Sequence, residues 1–235
     1  MNRIAKLFLG VVLLPLAFSI LLSVFEVLWY IVKGYKVTLY FMLGAALYVL
    51  THLFFYNFSR FYVMAHEFSH AAAAWLCGYT VSGLSVKSDS GEVKVSGINT
   101  FVLLAPYCVP LYSLIVTFVY LLLNLFVEGA ERYGGLFLAL FGFCTALHLM
   151  HTYKALTETE QSDISRAGGG IFSFSLIILI NMAVILGLAE IYFPGIIPIG
   201  SLSGGIIKRT IQFWKWFFDN LYSFSVKFFA GTGEA

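Results

Sequence analysis

Long stretches without a charged residue dominate the pattern of hydrophobic and polar positions along this chain. Residues 37–59, 95–127, 133–153 and 167–189 contain no Asp, Glu, Lys or Arg. Each stretch is long enough to cross a hydrocarbon core of about 30 Å as a helix of about 20 residues. Because lipid does not tolerate unpaired backbone groups, and because the stretches lack the alternation of a membrane barrel, we expect helices.

A further apolar stretch begins near the N-terminus, where Arg3 and Lys6 precede apolar residues 7–25. Such an opening is also found in secretory signal peptides. Here the apolar run is longer than a typical signal core and continues to Val32 without a clean small-residue cleavage site. We therefore expect a retained anchor helix, with Glu26 near an interface or facing the protein interior.

Glycine, proline and polar residues divide the remaining chain into further elements. Gly78 is a plausible C-terminal glycine for a helix that begins near residue 58. Pro106 and Pro110 predict irregular backbone, sheltered by protein, over residues 98–110. The predicted helices cover about 7–32, 37–57, 58–77, 111–127, 134–156 and 171–193, with a basic link at 33–36 and with Pro194 and Pro198 ending the last one.

Residues 80–97 have a different pattern. Polar and β-branched residues alternate on both sides of Asp89-Ser90-Gly91. This pattern predicts a short β-hairpin directly after the helix that ends at Gly78. The predicted fold class is therefore an all-α polytopic membrane protein with five to six transmembrane helices and one β-hairpin.

Composition agrees with this interpretation, since 60% of the 235 residues are hydrophobic and 11% are charged, against roughly a quarter charged in an ordinary soluble domain. A net charge of +2 gives no reason to expect a nucleic-acid partner. From about residue 205, basic residues are mixed with Trp and Phe, which predicts an amphipathic helix in the headgroup region. We expect the chain to divide into N-terminal transmembrane helices (1–57), a core (58–193) and an interfacial tail (194–235).

The stretch His66-Glu67-Phe68-Ser69-His70 carries the chemistry of the predicted core. Residues four apart on a helix share a face, so His66 and His70 can hold one metal ion while Glu67 reaches a water bound to it. Two imidazoles leave Zn²⁺ acidic enough to lower the pKa of that water, and a carboxylate can then take its proton. The pattern often arises by chance in soluble proteins, but ionisable residues in an apolar helix indicate function.

A catalytic zinc site needs a third protein ligand. Asp163 is the preferred candidate, because it lies in a polar segment between two predicted crossings, from which it could fold inward. Its alternative role is a solvated carboxylate or a helix cap. His148 and His151 share a helix face and are alternatives as ligand, outer partner or oxyanion donor. For His151, a packing role is as good an explanation as a role at the metal site, and for His52 packing is the better explanation. The isolated cysteines, Cys77, Cys108 and Cys144, are expected to be packing residues.

The core contains the run Ala65-His66-Glu67-Phe68-Ser69-His70 with Ala71 to Ala74 after it, followed by Gly78, a hairpin with Gly91 and an apolar helix. With these features the core resembles the site-2 intramembrane metalloproteases of the M50 family, in particular the M50B-like branch. The resemblance covers residues 58–193 and implies a metallopeptidase-like core there. It implies that His66 and His70 bind zinc and that Glu67 is the general base. It also implies a membrane-embedded protein as substrate, which would pair with the hairpin as an added strand. Family members usually carry the third ligand in an Asn-Pro-x-x-x-x-Asp-Gly-like motif, which is absent here; Asp163 stands where that ligand is expected.

Three functions fit these patterns. The preferred one is an intramembrane zinc endopeptidase in the plasma or inner membrane of the cell. The second is a catalytically inactive relative that serves as a zinc-binding protein or scaffold. The third is a membrane zincin with a downstream Glu as ligand, for which Glu158 and Glu160 are candidates without the matching motif. The sequence does not indicate the oligomeric state.

Overall fold

The computed structural model describes residues 2–34, 38–55, 58–88, 90–158, 162–193 and 197–231. Parts of some predictions lie outside these residues: Tyr35 and Lys36 of the basic link, Asp89 of the hairpin turn, Glu160, and Pro194.

Helices make up most of the described chain. They are α1 (Arg3–Gly34), α2 (Thr38–Phe54), α3 (Ser59–Leu76), α4 (Thr100–Cys108), α5 (Leu111–Phe126), α6 (Gly134–Glu158), α7 (Ser162–Ala167), α8 (Gly170–Tyr192) and α9 (Ile199–Gly231), with a 3₁₀ turn at Ala130–Tyr133. Strands β1 (Val81–Val86) and β2 (Gly91–Val95) pair antiparallel, with Val81 opposite Val95 and Val86 opposite Gly91. The predicted all-α polytopic fold with a hairpin after α3 is thus confirmed.

Three segments within the described residues are long and apolar enough to cross a membrane: Arg3–Val27, Ala130–Thr157 and Gly170–Tyr192. Two pairs of shorter helices, α2 with α3 and α4 with α5, raise the number to five if each pair is one span. This upper count agrees with the lower end of the predicted five to six crossings.

Gly78 and the two prolines act on the backbone in different ways. Gly78 has a φ of 77°, its N–H donates to the Trp75 carbonyl, and the N–H of Tyr79 donates to Ala74. These are the bonds of a Schellman cap, so the predicted end of α3 is correct. The prediction of irregular backbone over residues 98–110 is wrong, because residues 100–108 form α4 with Pro106 inside it. The chain bends by 70° only after α4, where Pro110 cannot continue the helix.

The most extensive helix contacts are those of α2 with α6 and of α1 with α8. The helix α3 contacts both strands and α4, and α4 in turn contacts α7. Small residues permit the close approach of α3 to α4, because Ala73 and Ala74 lie buried against Val102 and Ala105. This arrangement brings three separate segments of the chain, α3, the hairpin and α7, to one place.

The last helix, α9, packs against α1. The guanidinium of Arg209 donates a hydrogen bond of 2.7 Å to Glu26 Oε1 and another to the hydroxyl of Ser23. Glu26 is therefore paired with a charge from the C-terminal helix. The location of α9 in the headgroup region stays a prediction.

Candidate metal centre

The helix α3 carries His66 and His70 on one face, as their spacing predicts. Their Nε2 atoms lie 3.9 Å and 3.3 Å from the same carboxylate oxygen, Oδ2 of Asp163. Potential ligand atoms of the three side chains all lie within 4.8 Å of one another. Two imidazole nitrogens and one carboxylate oxygen resemble the donor sets of catalytic zinc sites, so the residues fit this metal.

Asp163 reaches the histidines from the first turn of α7. The sequence predicted a polar loop here, whereas the described part of the segment is a short helix with Ile164 and Ala167 buried. Burial by itself raises the pKa of Asp163, but its interactions with His66 and His70 outweigh burial and hold the pKa below the usual value of a carboxyl group. The side chain is therefore ionised at neutral pH, as a metal ligand must be.

Each of the three side chains has a further protein partner. The hydroxyl of Tyr62 lies 3.4 Å from His66 Nδ1, and His70 Nδ1 lies 2.8 Å from the carbonyl oxygen of Val102, to which it can only donate. The hydroxyl of the fully buried Tyr107 donates to Asp163 Oδ2 at 3.5 Å. Such outer partners fix the ring orientation and the tautomer of a ligating histidine, and they leave Nε2 of His70 free for a metal.

Pro106 explains why the Val102 carbonyl is available to His70. In an α-helix the N–H of residue 106 would bond to the carbonyl of residue 102, but proline has no N–H. The carbonyl would be an unsatisfied acceptor in an apolar environment, and His70 supplies its donor. The proline in α4 thus contributes directly to the orientation of a candidate ligand.

Glu67 lies beside the cluster with only 8% of its surface exposed. It lines an open pocket of about 320 Å³ together with the three ligand candidates. The residues Gly91, Val93 and Val95, which alternate along β2, form another wall, and Ser162 and Arg166 of α7 form part of the rim. A carboxylate at this position can accept a proton from a water molecule in the pocket.

The other histidines lie away from the cluster. Nε2 of the buried His148 lies 2.8 Å from Asn181 Oδ1, and Asn181 donates to the backbone carbonyl of Tyr107 at 2.6 Å. The ring of His151 stacks on that of Tyr62, with centroids 4.8 Å apart, and His52 contacts His151 edge to face. Of the three candidates for the third ligand, the structure brings only Asp163 to His66 and His70.

Sequence reasoning missed several contributors to this centre. Tyr62 precedes His66 by four residues, so helical spacing could have identified it. Tyr107 and the Val102 carbonyl leave no signal, because they reach the site through packing between elements distant in sequence. Glu160 and the side chain of Glu158, candidates for a different zincin type, lie outside the described part of the chain.

Comparison with known proteins gives one match. The sequence model of a family described as Peptidase M50B-like matches residues 39–159. The matched region contains His66, Glu67, His70 and the hairpin, but it ends before Asp163. No curated protein and no solved structure matches this chain.

Proposed function

This chain belongs to the M50B-like peptidase family, and on that premise we propose that it is an intramembrane zinc metalloprotease that cleaves a membrane-embedded protein. The observation that carries the proposal is the convergence of His66, His70 and Asp163 within 4.8 Å, beside a buried carboxylate. Burying the carboxyl group of Glu67 in a membrane helix costs free energy, and a catalytic role accounts for that cost. An inactive member of the family would have no such use for it.

Zinc held by His66, His70 and Asp163 would polarise a peptide carbonyl and acidify a water molecule. The residues of the chain supply the remaining functions. Glu67 accepts a proton from the attacking water at its carboxylate and can pass it to the amine that leaves. Tyr62, the Val102 carbonyl and Tyr107 hold the three ligand side chains in orientation.

The hairpin supports a membrane protein as substrate. In the described sheet β2 has one partner strand, β1, so its other edge offers unpaired backbone groups. Its alternate residues Gly91, Val93 and Val95 face the pocket. An unwound segment of a substrate could add to this edge as a strand and extend across the pocket, with its carbonyl at the metal centre.

The test compares wild type with Glu67→Gln in the full-length protein. We expect purified wild type to contain one zinc ion, and Glu67→Gln to retain it, because the amide keeps the shape of the side chain but cannot accept the proton. New N-termini in membrane proteins, detected by mass spectrometry of membranes from cells that express each form, should appear only with the wild type. Glu131→Gln, a change in the 3₁₀ turn outside the pocket, is the matched control and should behave as the wild type.

Two outcomes would contradict the proposal. Cleavage by Glu67→Gln at the wild-type level would show that Glu67 is not the base. Zinc in the wild type without any new N-terminus would favour the inactive zinc-binding relative. Both His66→Ala and His70→Ala should lose zinc whether the protein is an active protease or an inactive zinc-binding relative. These two variants therefore test the metal centre separately from the reaction.

A further inference from the structure

A lysine of the N-terminal helix contacts the segment that carries Asp163. Lys6 lies on α1 in one of the candidate membrane spans, and its side chain is half-buried. Its ammonium group donates a hydrogen bond of 2.7 Å to the carbonyl oxygen of Ala167 and one of 3.0 Å to Thr100 Oγ1. Ala167 is the last residue of α7, and Thr100 is the first of α4. One charged group thus joins α1, α4 and α7.

The surroundings of Lys6 are shaped to hold its side chain. Gly168 has a φ of +150°, a backbone conformation that favours glycine, and a β-carbon there would lie 2.6 Å from Lys6 Cδ, so the absent side chain gives the lysine stem room. The ammonium group also lies 5.8 Å from the centre of the Phe172 ring, within the range of a cation–π contact. The lysine stem is thus enclosed by Gly168 and Phe172, while its ammonium group reaches two oxygen acceptors on α4 and α7.

The helix α7 depends on such contacts for its position. With six residues it is too short to be stable by itself, so contacts with the rest of the molecule determine where it lies. The carbonyls of its last turn have no partner within the helix. The N–H of Gly169 and the hydroxyl of Ser173, both from the chain that follows directly, bond to Ile164. Lys6 and Thr100 bond to Ala167 from other parts of the molecule.

We propose that Lys6 is a positioning residue for the metal centre, which holds α7 where Asp163 can reach His66 and His70. The inference rests on the proposed function, since it takes Asp163 as the third ligand. It assigns a role in the centre to α1, a helix outside the region that the family model matches.

The test measures zinc affinity by competition with a chelator in the purified full-length protein. The loss of a group that contacts a ligand directly weakens metal binding by about 10- to 100-fold. Because Lys6 acts on Asp163 only through α7, we expect Lys6→Met to bind zinc about tenfold more weakly, at the lower end of that range. Arg3→Met removes the same charge from an exposed position on the same helix and should leave the affinity unchanged. Thr100→Val, which keeps the shape of the side chain, should weaken binding in the same direction by less, and it carries the test if Lys6→Met does not fold.

A double-mutant cycle with Asp163→Ala separates positioning from general destabilisation. If Lys6 acts through Asp163, Lys6→Met should have almost no effect on the residual affinity of Asp163→Ala. An equal loss of affinity in both backgrounds would overturn the inference, as would wild-type affinity in Lys6→Met. These results leave the proposed function intact, whereas a wild-type protein that binds no more zinc than His66→Ala would contradict that function and this inference together.

Discussion

At the scale of single residues, the close approach of Gly91 to Glu67 makes the hairpin part of the candidate metal centre. A β-carbon at Gly91 would lie 2.4 Å from Glu67 Cγ and 2.7 Å from its Oε1. Gly91→Ala should therefore displace the carboxylate or push the hairpin away from it. A displacement of about 1 Å can lower the rate by about 100-fold, so we expect this loss in the rate of substrate cleavage while zinc binding is retained.

Gly83 in the opposite strand is the control for this change. A β-carbon there would lie 3.7 Å from Lys94 Cδ, an ordinary van der Waals distance. Gly83→Ala should leave both cleavage and zinc content as in the wild type. If Gly91→Ala cleaves as fast as Gly83→Ala, the strand does not constrain Glu67.

Spacing along one helix was enough to predict part of the site. It placed His66 and His70 on a common face and Glu67 beside them, because the directions of side chains along one helix are fixed by the helical repeat. It could not choose between Asp163, His148 and His151, since that choice depends on how α7 and α6 pack against α3. The sequence identified Pro106 only as a helix breaker. The effect of Pro106 on the Val102 carbonyl depends on His70, which lies on another helix and donates to that carbonyl.

At the scale of elements, two glycines determine how closely α2 and α6 pack. A β-carbon at Gly44 would lie 1.8 Å from the carbonyl oxygen of Ala139, and one at Gly142 would lie 2.2 Å from that of Phe41. Small residues commonly permit such approach between membrane helices. Gly44→Ala should force the pair apart and lower the free energy of unfolding by about 1–3 kcal/mol, the usual effect of overpacking, which a shift of the unfolding midpoint in detergent would measure.

The matched control lies on another membrane helix. Gly187 of α8 has open space where a β-carbon would stand. Gly187→Ala should be neutral or slightly stabilising, because alanine has the higher helix propensity. Equal midpoints for the two variants would mean that the close approach of α2 and α6 does not limit stability.

Local sequence patterns also explain which helices and strands were predicted correctly and which were not. Alternation predicted the hairpin, charge-free runs predicted the long helices, and Gly78 predicted the end of α3, because each signal is local. The helix α4 was not predicted, since a proline in a short apolar segment normally argues against a helix. Contacts with α3 and α7 stabilise α4 nevertheless, and they lie outside the reach of any local pattern.

At the scale of the whole molecule, the candidate metal centre brings together parts of the chain that are distant in sequence. His66 and His70 come from α3, whereas Asp163 comes from α7, which α4 and α8 hold in place. A site that needs all three residues exists only in the folded protein, where α3 and α7 lie together, and not in the unfolded chain. Zinc at about 100 times its dissociation constant should therefore raise the free energy of unfolding by about 2.7 kcal/mol. The expected observation is a higher unfolding midpoint with zinc than after treatment with a chelator.

Two variants distinguish this linkage from non-specific metal binding. His70→Ala removes a ligand and should abolish the difference between zinc and chelator. Asp163→Ala keeps both histidines but frees α7 from the centre, so a smaller part of the shift should remain, as expected for zinc held by α3 alone. If Asp163→Ala shows the full wild-type shift, the ion does not connect α7 to α3. The fold would then bring Asp163 to the histidines without using it as a ligand.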